Sequence, residues 1–289
     1  MRMDDQGAVS VFRRIAAWDH SNRTWRTLLR CTIGAALSLV LSLARTRGGL
    51  APFGVAFVAA AGTGWVGASA LLGAAGGYLD RYGYPFCRGR ALQNVEKDHG
   101  QYDDPADVFW ISGACLMVRS KLWKKLGGLD DRFFAHMEEI DLCWRIQLAG
   151  YRVTSVPRST VYHIGGGTLP NESPFKLRLN YRNNLLLLEN NLAKTFRAQG
   201  YSVDGALAKA RRRILARMLL DGASALVYLV TKKWPSYKAV VKAHAEYWKL
   251  RRKPSPDEVA SQQKEVTIHG WYSKWMVPRA LSGKIPTVK

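Results

Sequence analysis

Thirty-two consecutive residues, Gly48 to Leu79, carry no charged side chain. A helix needs about 20 apolar residues to cross a bilayer, so this stretch is long enough to span. It includes the run Leu50-Ala51-Pro52-Phe53-Gly54-Val55-Ala56-Phe57-Val58-Ala59-Ala60-Ala61. The preceding apolar run, Cys31 to Ala44, is shorter: either it borrows Leu28 and Leu29 and lets Arg30 snorkel, or it lies along the interface. Glycine and alanine permit close helix approach where lipid gives no hydrophobic drive. A buried Gly/Ala-rich helical hairpin of a soluble domain is the alternative. The late start and the lack of a small-residue cleavage site speak against a signal peptide. Arg13, Arg14, Arg23, Arg26 and Arg30 place the amino terminus on the cytoplasmic side. Two passes return the rest of the chain to that side.

Charge divides the remainder. Residues 80–174 hold twelve basic and twelve acidic side chains, whereas residues 175–289 hold 23 basic against 7 acidic. Residues 1–47 add eight basic and three acidic, for +21 in all. A neutral module between basic arms suits a protein held against an anionic cytoplasmic leaflet. It does not suit one nucleic-acid face, and neither a recognition helix nor interleaved stacking aromatics accompany it. Hydrophobic residues at 47% and charged residues at 22% exclude disordered and collagen-like classes. The four cysteines, Cys31, Cys87, Cys115 and Cys143, form no Cys-x-x-Cys pair, which fits a reducing compartment better than a disulfide or zinc framework.

The folded module begins at about Asp80. Val108 to Ile111 and Cys115 to Val118 read as short buried strands around the turn Ser112-Gly113-Ala114. Ser120 caps a helix through Leu126 that Gly127-Gly128 ends, and a loop follows from Leu129 to Ala135. Ile140, Cys143, Trp144 and Ile146 give Glu138 to Leu148 helical spacing, closed by Gly150. Arg152 to Val156 and Thr160 to Ile164 read as extended. A long helix over Phe175 to Leu192 contains Asn180-Tyr181-Arg182-Asn183-Asn184. Basic amphipathic segments follow at Ala208–Val230 and Tyr237–Arg252, around a break at Trp234-Pro235. Such helices either lie on a membrane surface or pack on their own domain. The chain divides into a basic segment (1–30), apolar transmembrane helices (31–72), a central module (73–192) and a basic helical tail (193–289).

Chemistry concentrates at Phe133-Phe134-Ala135-His136-Met137-Glu138-Glu139-Ile140-Asp141, where three carboxylates meet a helix start. Capping alone explains acids there. The aromatic pair upstream supplies a partly dry wall, however, and crowded acids do not share one pKa, which is how a general base arises. His163, ahead of Gly165-Gly166-Gly167, is positioned to approach a metal or phosphate, although a lone histidine is more often structural.

Six spaced elements now carry a resemblance. Ser112-Gly113-Ala114-Cys115, Gly127-Gly128-Leu129-Asp130, Phe133 through Arg145, Ala149-Gly150-Tyr151-Arg152, Val156-Pro157 and Val161-Tyr162-His163-Ile164-Gly165-Gly166 follow the order seen in family 2 glycosyltransferases of the GT-A fold. Gly76 to Arg90 resembles the middle of bacterial members, especially those of Bacteroidetes type. The match is close over about Gly73 to Leu192 and looser to about Arg252. It implies an α/β fold: a partial GT-A, Rossmann-like sheet with helices, preceded by the apolar helices and followed by the basic ones. It also implies inverting transfer of a sugar from a nucleotide-sugar to a hydroxyl on a lipid-linked glycan or polysaccharide. By position, Glu139 is the base that deprotonates the acceptor, with Glu138 and Asp141 orienting it and its helix. Trp110, Ser112 and Gly113 line the sugar pocket together with Asp130. His163 is a ligand of a divalent metal, Mn or Mg, that offsets charge on the departing diphosphate.

The chain departs from the family in one respect. The family's first half is a nucleotide-binding region ending in Asp-x-Asp, and no Asp-x-Asp occurs here. The apolar region stands in its place, and Arg47 to Phe57 weakly resembles the membrane part of the stage II sporulation phosphatase. The expectation is a truncated or chimeric membrane-associated enzyme at the inner membrane, its soluble part cytoplasmic, with little activity unless another chain supplies the missing half. A non-catalytic membrane adaptor that binds glycan or a partner protein is the alternative. A half sheet also leaves a strand edge, to be covered by the amino-terminal helices or by a partner chain.

Overall fold

A computed structural model describes residues 75–159 and 173–288. The stretch 31–72 expected to be transmembrane, the expected extended segment Thr160–Ile164 and His163 lie outside the described residues. Among the described residues, no helix is long and apolar enough to cross a membrane.

The sheet is a meander of very short strands. β1 (Gly77–Asp80) turns through Gly83 into antiparallel β2 (Pro85–Cys87), and β3 (Arg90–Ala91) and β4 (Asn94–Val95) continue it. Asp80 builds the first turn: its Oδ1 accepts from the backbone N–H of Tyr82 and Tyr84 at 2.8 and 2.9 Å. On the other side of β1, β7 (Trp271–Tyr272) pairs in parallel, so the order is β4-β3-β2-β1-β7. The edge of β1 is therefore covered by this chain's own carboxy-terminal segment, which the sequence reading did not foresee; the amino-terminal helices it expected there lie outside the described residues. The tail reaches back because Asp80 Oδ2 also accepts from Met276 N at 2.9 Å. Gln147 Nε2 donates to Phe109 O at 3.1 Å while its Oε1 accepts from His269 N at 2.7 Å. Gly270 follows at φ +72°, where a Cβ would stand 2.2 Å from Phe109 N, so only glycine fits.

A second pair, β5 (Ala106–Asp107) and β6 (Thr154–Ser155), is antiparallel. The buried segment Val108–Ile111 continues from β5 without being a strand, touching β1 through a bridge from Gly77 to Trp110. The expected strand Cys115–Val118 does not form: Gly113–Cys115 is a 3-10 turn, because Ser112 Oγ accepts from Ala114 N and curls the chain. α1 (Ser120–Leu126) ends at left-handed Gly127, as expected, although Arg119 rather than Ser120 stands at its cap. α2 (Glu138–Leu148) matches the sequence reading.

α3 (Pro174–Ala198) runs through the 192/193 boundary. Its Leu185, Leu186, Leu187 and Leu188 are all fully buried, because α2 packs on it and so do α4 (Val203–Val230) and α5 (Trp234–Leu250). Four consecutive leucines point to every side of the helix, so each side must be covered there. Trp234 and Pro235 open α5 rather than break it, proline being tolerated in a first turn. α6 (Pro256–Ala260), with a full capping box from Ser255 and Glu258, and α7 (Met276–Leu281) complete the chain. Phe109, Phe133, Trp144 and Tyr247 are fully buried at the centre, and Trp144 Nε1 donates to Thr195 Oγ1 at 2.8 Å.

Candidate active site

The approach to α2 is a short, strained path. Asp130 Oδ1 accepts from Arg132 N at 3.1 Å and starts a 3-10 turn over Asp131–Phe133. Phe133 enters the core, whereas Phe134 is 76% exposed. Phe134, His136 and Met137 then take φ of +62°, +69° and +72°. Each such non-glycine residue costs about 1–3 kcal/mol, so the surroundings must over-determine the path. Two side chains of α3 do so. Asn183 Nδ2 donates to the carbonyls of Phe133 (3.0 Å), Ala135 (2.7 Å) and His136 (2.7 Å). Arg182 Nη2 donates to those of Phe133 (2.8 Å) and Arg132 (3.2 Å). Sequence reasoning placed Arg182 and Asn183 on a helix and gave them no role. Polar residues inside a leucine-rich helix are the signal that marks them, since buried amides need partners.

This path delivers Glu138 and Glu139 as the first two residues of α2. Their Oε2 atoms, with His136 Nε2, are buried without a hydrogen-bond partner. Burial foremost, then the charge of Glu138, pushes the Glu139 carboxyl up to about 7, against the pull of backbone N–H groups at the helix start. By area Glu139 keeps a partly open side. Burial also lowers the His136 imidazole, helped by Lys176 and opposed by Glu138. A carboxyl that changes charge near neutrality suits proton transfer at physiological pH. Exposed Gly113 lies alongside, where a Cβ would touch Glu139 Cβ and Cγ at 3.7 and 3.8 Å.

The structure thus brings Gly113, Glu138 and Glu139 together, with Ser112 at the adjoining turn. It sets three other residues apart. Asp141 is fully buried and its oxygens are occupied by Arg145 Nε (2.7 Å), Asn190 Nδ2 (3.0 Å) and Asn191 Nδ2 (2.8 Å). Arg145 in turn donates to the carbonyls of Leu126 and Gly128, tying α2 to the end of α1. Asp130 accepts from Arg132 Nε (2.9 Å) and Asn190 Nδ2 (3.2 Å) in the wall of a cleft of about 550 Å³ that none of Ser112, Gly113, Glu138 and Glu139 lines. Its carboxyl is held below the usual range, burial being outweighed by Arg132 and Asn190. The Trp110 ring fills the space over Gly77, where a Cβ would come within 2.1 Å of it, and its Nε1 donates to Tyr78 O at 3.0 Å.

Among the described residues, no three or more His, Cys, Asp or Glu side chains converge as a metal site. Asp141 is committed elsewhere, so the acids at the start of α2 do not make one. The thiols of Cys87, Cys115 and Cys143 are free, and burial pushes that of Cys143 up to about 12.

The chain is similar to N-acetylglucosaminyl-diphospho-decaprenol L-rhamnosyltransferase of Mycobacterium tuberculosis, with 30% identity over 114 residues. That alignment covers 39% of this chain and 37% of the relative. Similarity to rhamnosyltransferase WbbL of Escherichia coli is 38% over 56 residues, covering 19% of this chain and 21% of the relative. The chain thus spans well under half the length of these curated relatives. No solved structure matches. The model of one family, glycosyl transferase family group 2, matches residues 77–237, a stretch that takes in β1 to β6, the strained approach to α2 and the helix α3 that clamps it. With more than half of its length in that match, the chain belongs to glycosyl transferase family group 2.

Proposed function

We propose that Glu139 is the general base of a sugar transfer from a nucleotide-sugar to a hydroxyl on a lipid-linked glycan or polysaccharide. The observation that carries this is the buried, unpartnered Oε2 of Glu139 beside open Gly113, in a carboxyl whose charge changes near pH 7. The acceptor O–H proton passes to Glu139 as the oxygen bonds to the anomeric carbon. The anomeric C–O bond breaks on the opposite face, and its electron pair leaves with the nucleoside diphosphate. A single displacement of this kind inverts the anomeric centre. Glu138 tunes the base by its charge, and Asp141 holds the helix that carries it.

The names of the relatives make a rhamnosyl donor and a diphosphopolyprenyl N-acetylglucosamine acceptor the first pair to test. The enzyme works at the cytoplasmic face of the inner membrane, where such an acceptor is presented. His163 would contribute to binding a divalent metal that neutralises charge on the leaving diphosphate. The sequence has no Asp-x-Asp, so another chain supplies the donor's remaining contacts. The same fact favours a second reading, a glycan-binding membrane adaptor without turnover.

Donor turnover by the full chain, alone and with a nucleotide-binding family member added, is compared between wild type and Glu139→Gln. Turnover in the mixture that Glu139→Gln abolishes supports the base. Glycan binding that both proteins share, with no turnover in any mixture and no response to Mn²⁺ or Mg²⁺, supports the adaptor.

A further inference from the structure

Among the described residues, nothing packs on the outer face of α4 and α5. On α4, Leu215, Leu219, Leu226 and Val230 are exposed, Leu219 and Val230 each to 68%. At 3.6 residues per turn the four fall within about 60° of arc and run for about 22 Å. On α5, Trp234, Val241 and Trp248 repeat every seven residues on one face, and all are more than half exposed. Monomers seldom leave so long an apolar strip in water.

Charge around the strip has one sign. Between Arg211 and Lys249 the exposed charged residues are Arg211, Arg212, Lys232, Lys233, Lys238, Lys242 and Lys249, with no exposed acid among them. The two acids of that stretch are turned inward, Asp221 to Arg217 and Glu246 to Arg178 and Arg182. Where the first half of α4 meets the end of α5, a cleft of about 370 Å³ joins the two apolar stripes. Leu215, Met218 and Trp248 line its apolar part, while Arg211, Arg251 and Lys253 supply cations. Arg251 is fixed there over the Trp248 ring, 4.5 Å from its centroid, and by Glu189 at 2.9 Å.

We infer that this face docks on an anionic phospholipid surface, with the leucines, valines and tryptophans at the acyl boundary and the cleft holding one lipid phosphate. A protein partner of matching shape would need a long acidic rim, whereas an anionic bilayer supplies both the apolar layer and the negative surface. The inference extends the proposed function and is independent of its chemistry, because Glu139→Gln leaves vesicle docking intact.

The test reads the face locally, so that insertion of residues 31–72 does not mimic it. A nitrobenzoxadiazole label is placed on the full chain at Leu226→Cys, and separately at Lys124→Cys on α1. The labelled parent protein serves as the baseline for native thiols. With vesicles of phosphatidylglycerol and phosphatidylcholine in equal parts, emission from position 226 shifts to the blue and rises severalfold, while that from 124 does not. The Arg211→Glu, Lys253→Glu pair weakens this partition by about an order of magnitude or more, each basic residue at the surface contributing roughly fivefold. A position-226 label already blue before vesicles are added means that this chain or a second copy covers the face, and overturns the inference. So does an unchanged spectrum with vesicles, or an equal response to phosphatidylcholine alone. Circular dichroism of each variant confirms that its helices are retained.

Discussion

Glu139 and Asp141 stand two residues apart in the first turn of α2, yet the regions they face treat them in opposite ways. Each lies about 100° from inward-pointing Ile140, on opposite flanks of the apolar stripe. The flank toward Gly113 offers Glu139 a partly dry surface and leaves one oxygen unpartnered. The flank toward α3 offers Asp141 two asparagines and an arginine. Residue type and spacing are nearly the same. The neighbours decide which acid keeps an oxygen without a partner and which is spent on holding the helix.

The largest effect expected is on catalysis. In a mixture that supports transfer, Glu139→Gln lowers the rate by roughly 10²–10⁴-fold, the usual worth of a general base, without loss of melting temperature. Asp141→Ala should do the reverse of this in kind, lowering unfolding free energy by about 3–5 kcal/mol because Arg145 loses its carboxylate partner and the amides of Asn190 and Asn191 lose their acceptor. Denaturant titration measures it, and a variant as stable as wild type would erase the distinction between the two flanks. Asn183→Ala takes a donor from three carbonyls at the strained approach to α2, of which Phe133 alone keeps Arg182. A loss of about 2–3 kcal/mol follows, together with a lower kcat at little changed donor KM, which a purely structural role does not produce.

Two smaller effects sharpen the comparison. The carboxyl of Glu139 sits near 7 in the fold against 4.5 in the unfolded chain, so ionising it costs the folded state. That cost is absent below about pH 4.5, grows through the window up to pH 7 and is complete above it. Glu139→Gln should therefore be more stable than wild type at pH 8, on the order of 1–2 kcal/mol after allowance for solvent screening, and no more stable at pH 4. Melting curves at the two pH values check the sign. Finally, Glu138→Gln removes the neighbouring charge that raises Glu139, and the rising limb of the pH–rate profile moves to lower pH by about half a unit.

Helices with local punctuation were legible in the sequence. α1 has its left-handed Gly127, and α2 has an apolar stripe at helical spacing closed by Gly150, so their limits emerge from neighbouring residues alone. The strands were not legible, because most have two or three residues and exist only through distant partners. β7 is Trp271–Tyr272, too short for any alternation, and it is a strand because β1 lies beside it. Cys115–Val118 has strand composition, yet the Ser112 hydroxyl curls the chain just ahead of it. Within the site, the carboxylates announced themselves by crowding. The contrast between Glu139 and Asp141 was implied only by the family resemblance, and the clamp by Asn183 not at all, since both rest on which side chains of α3 arrive across the interface.

The parallel pairing of β7 with β1 has a consequence for how the protein is made. Asp80 and Met276, which meet in the finished molecule, are 196 positions apart. At ribosomal speeds of about 5–20 residues per second, β1 emerges roughly 10–40 s before the strand that covers it. During that interval the nascent chain displays an open backbone edge, the feature most prone to pair with a neighbouring polypeptide. The brevity of the strands limits that hazard, and a slowly translated message lengthens the wait for a holdase to cover.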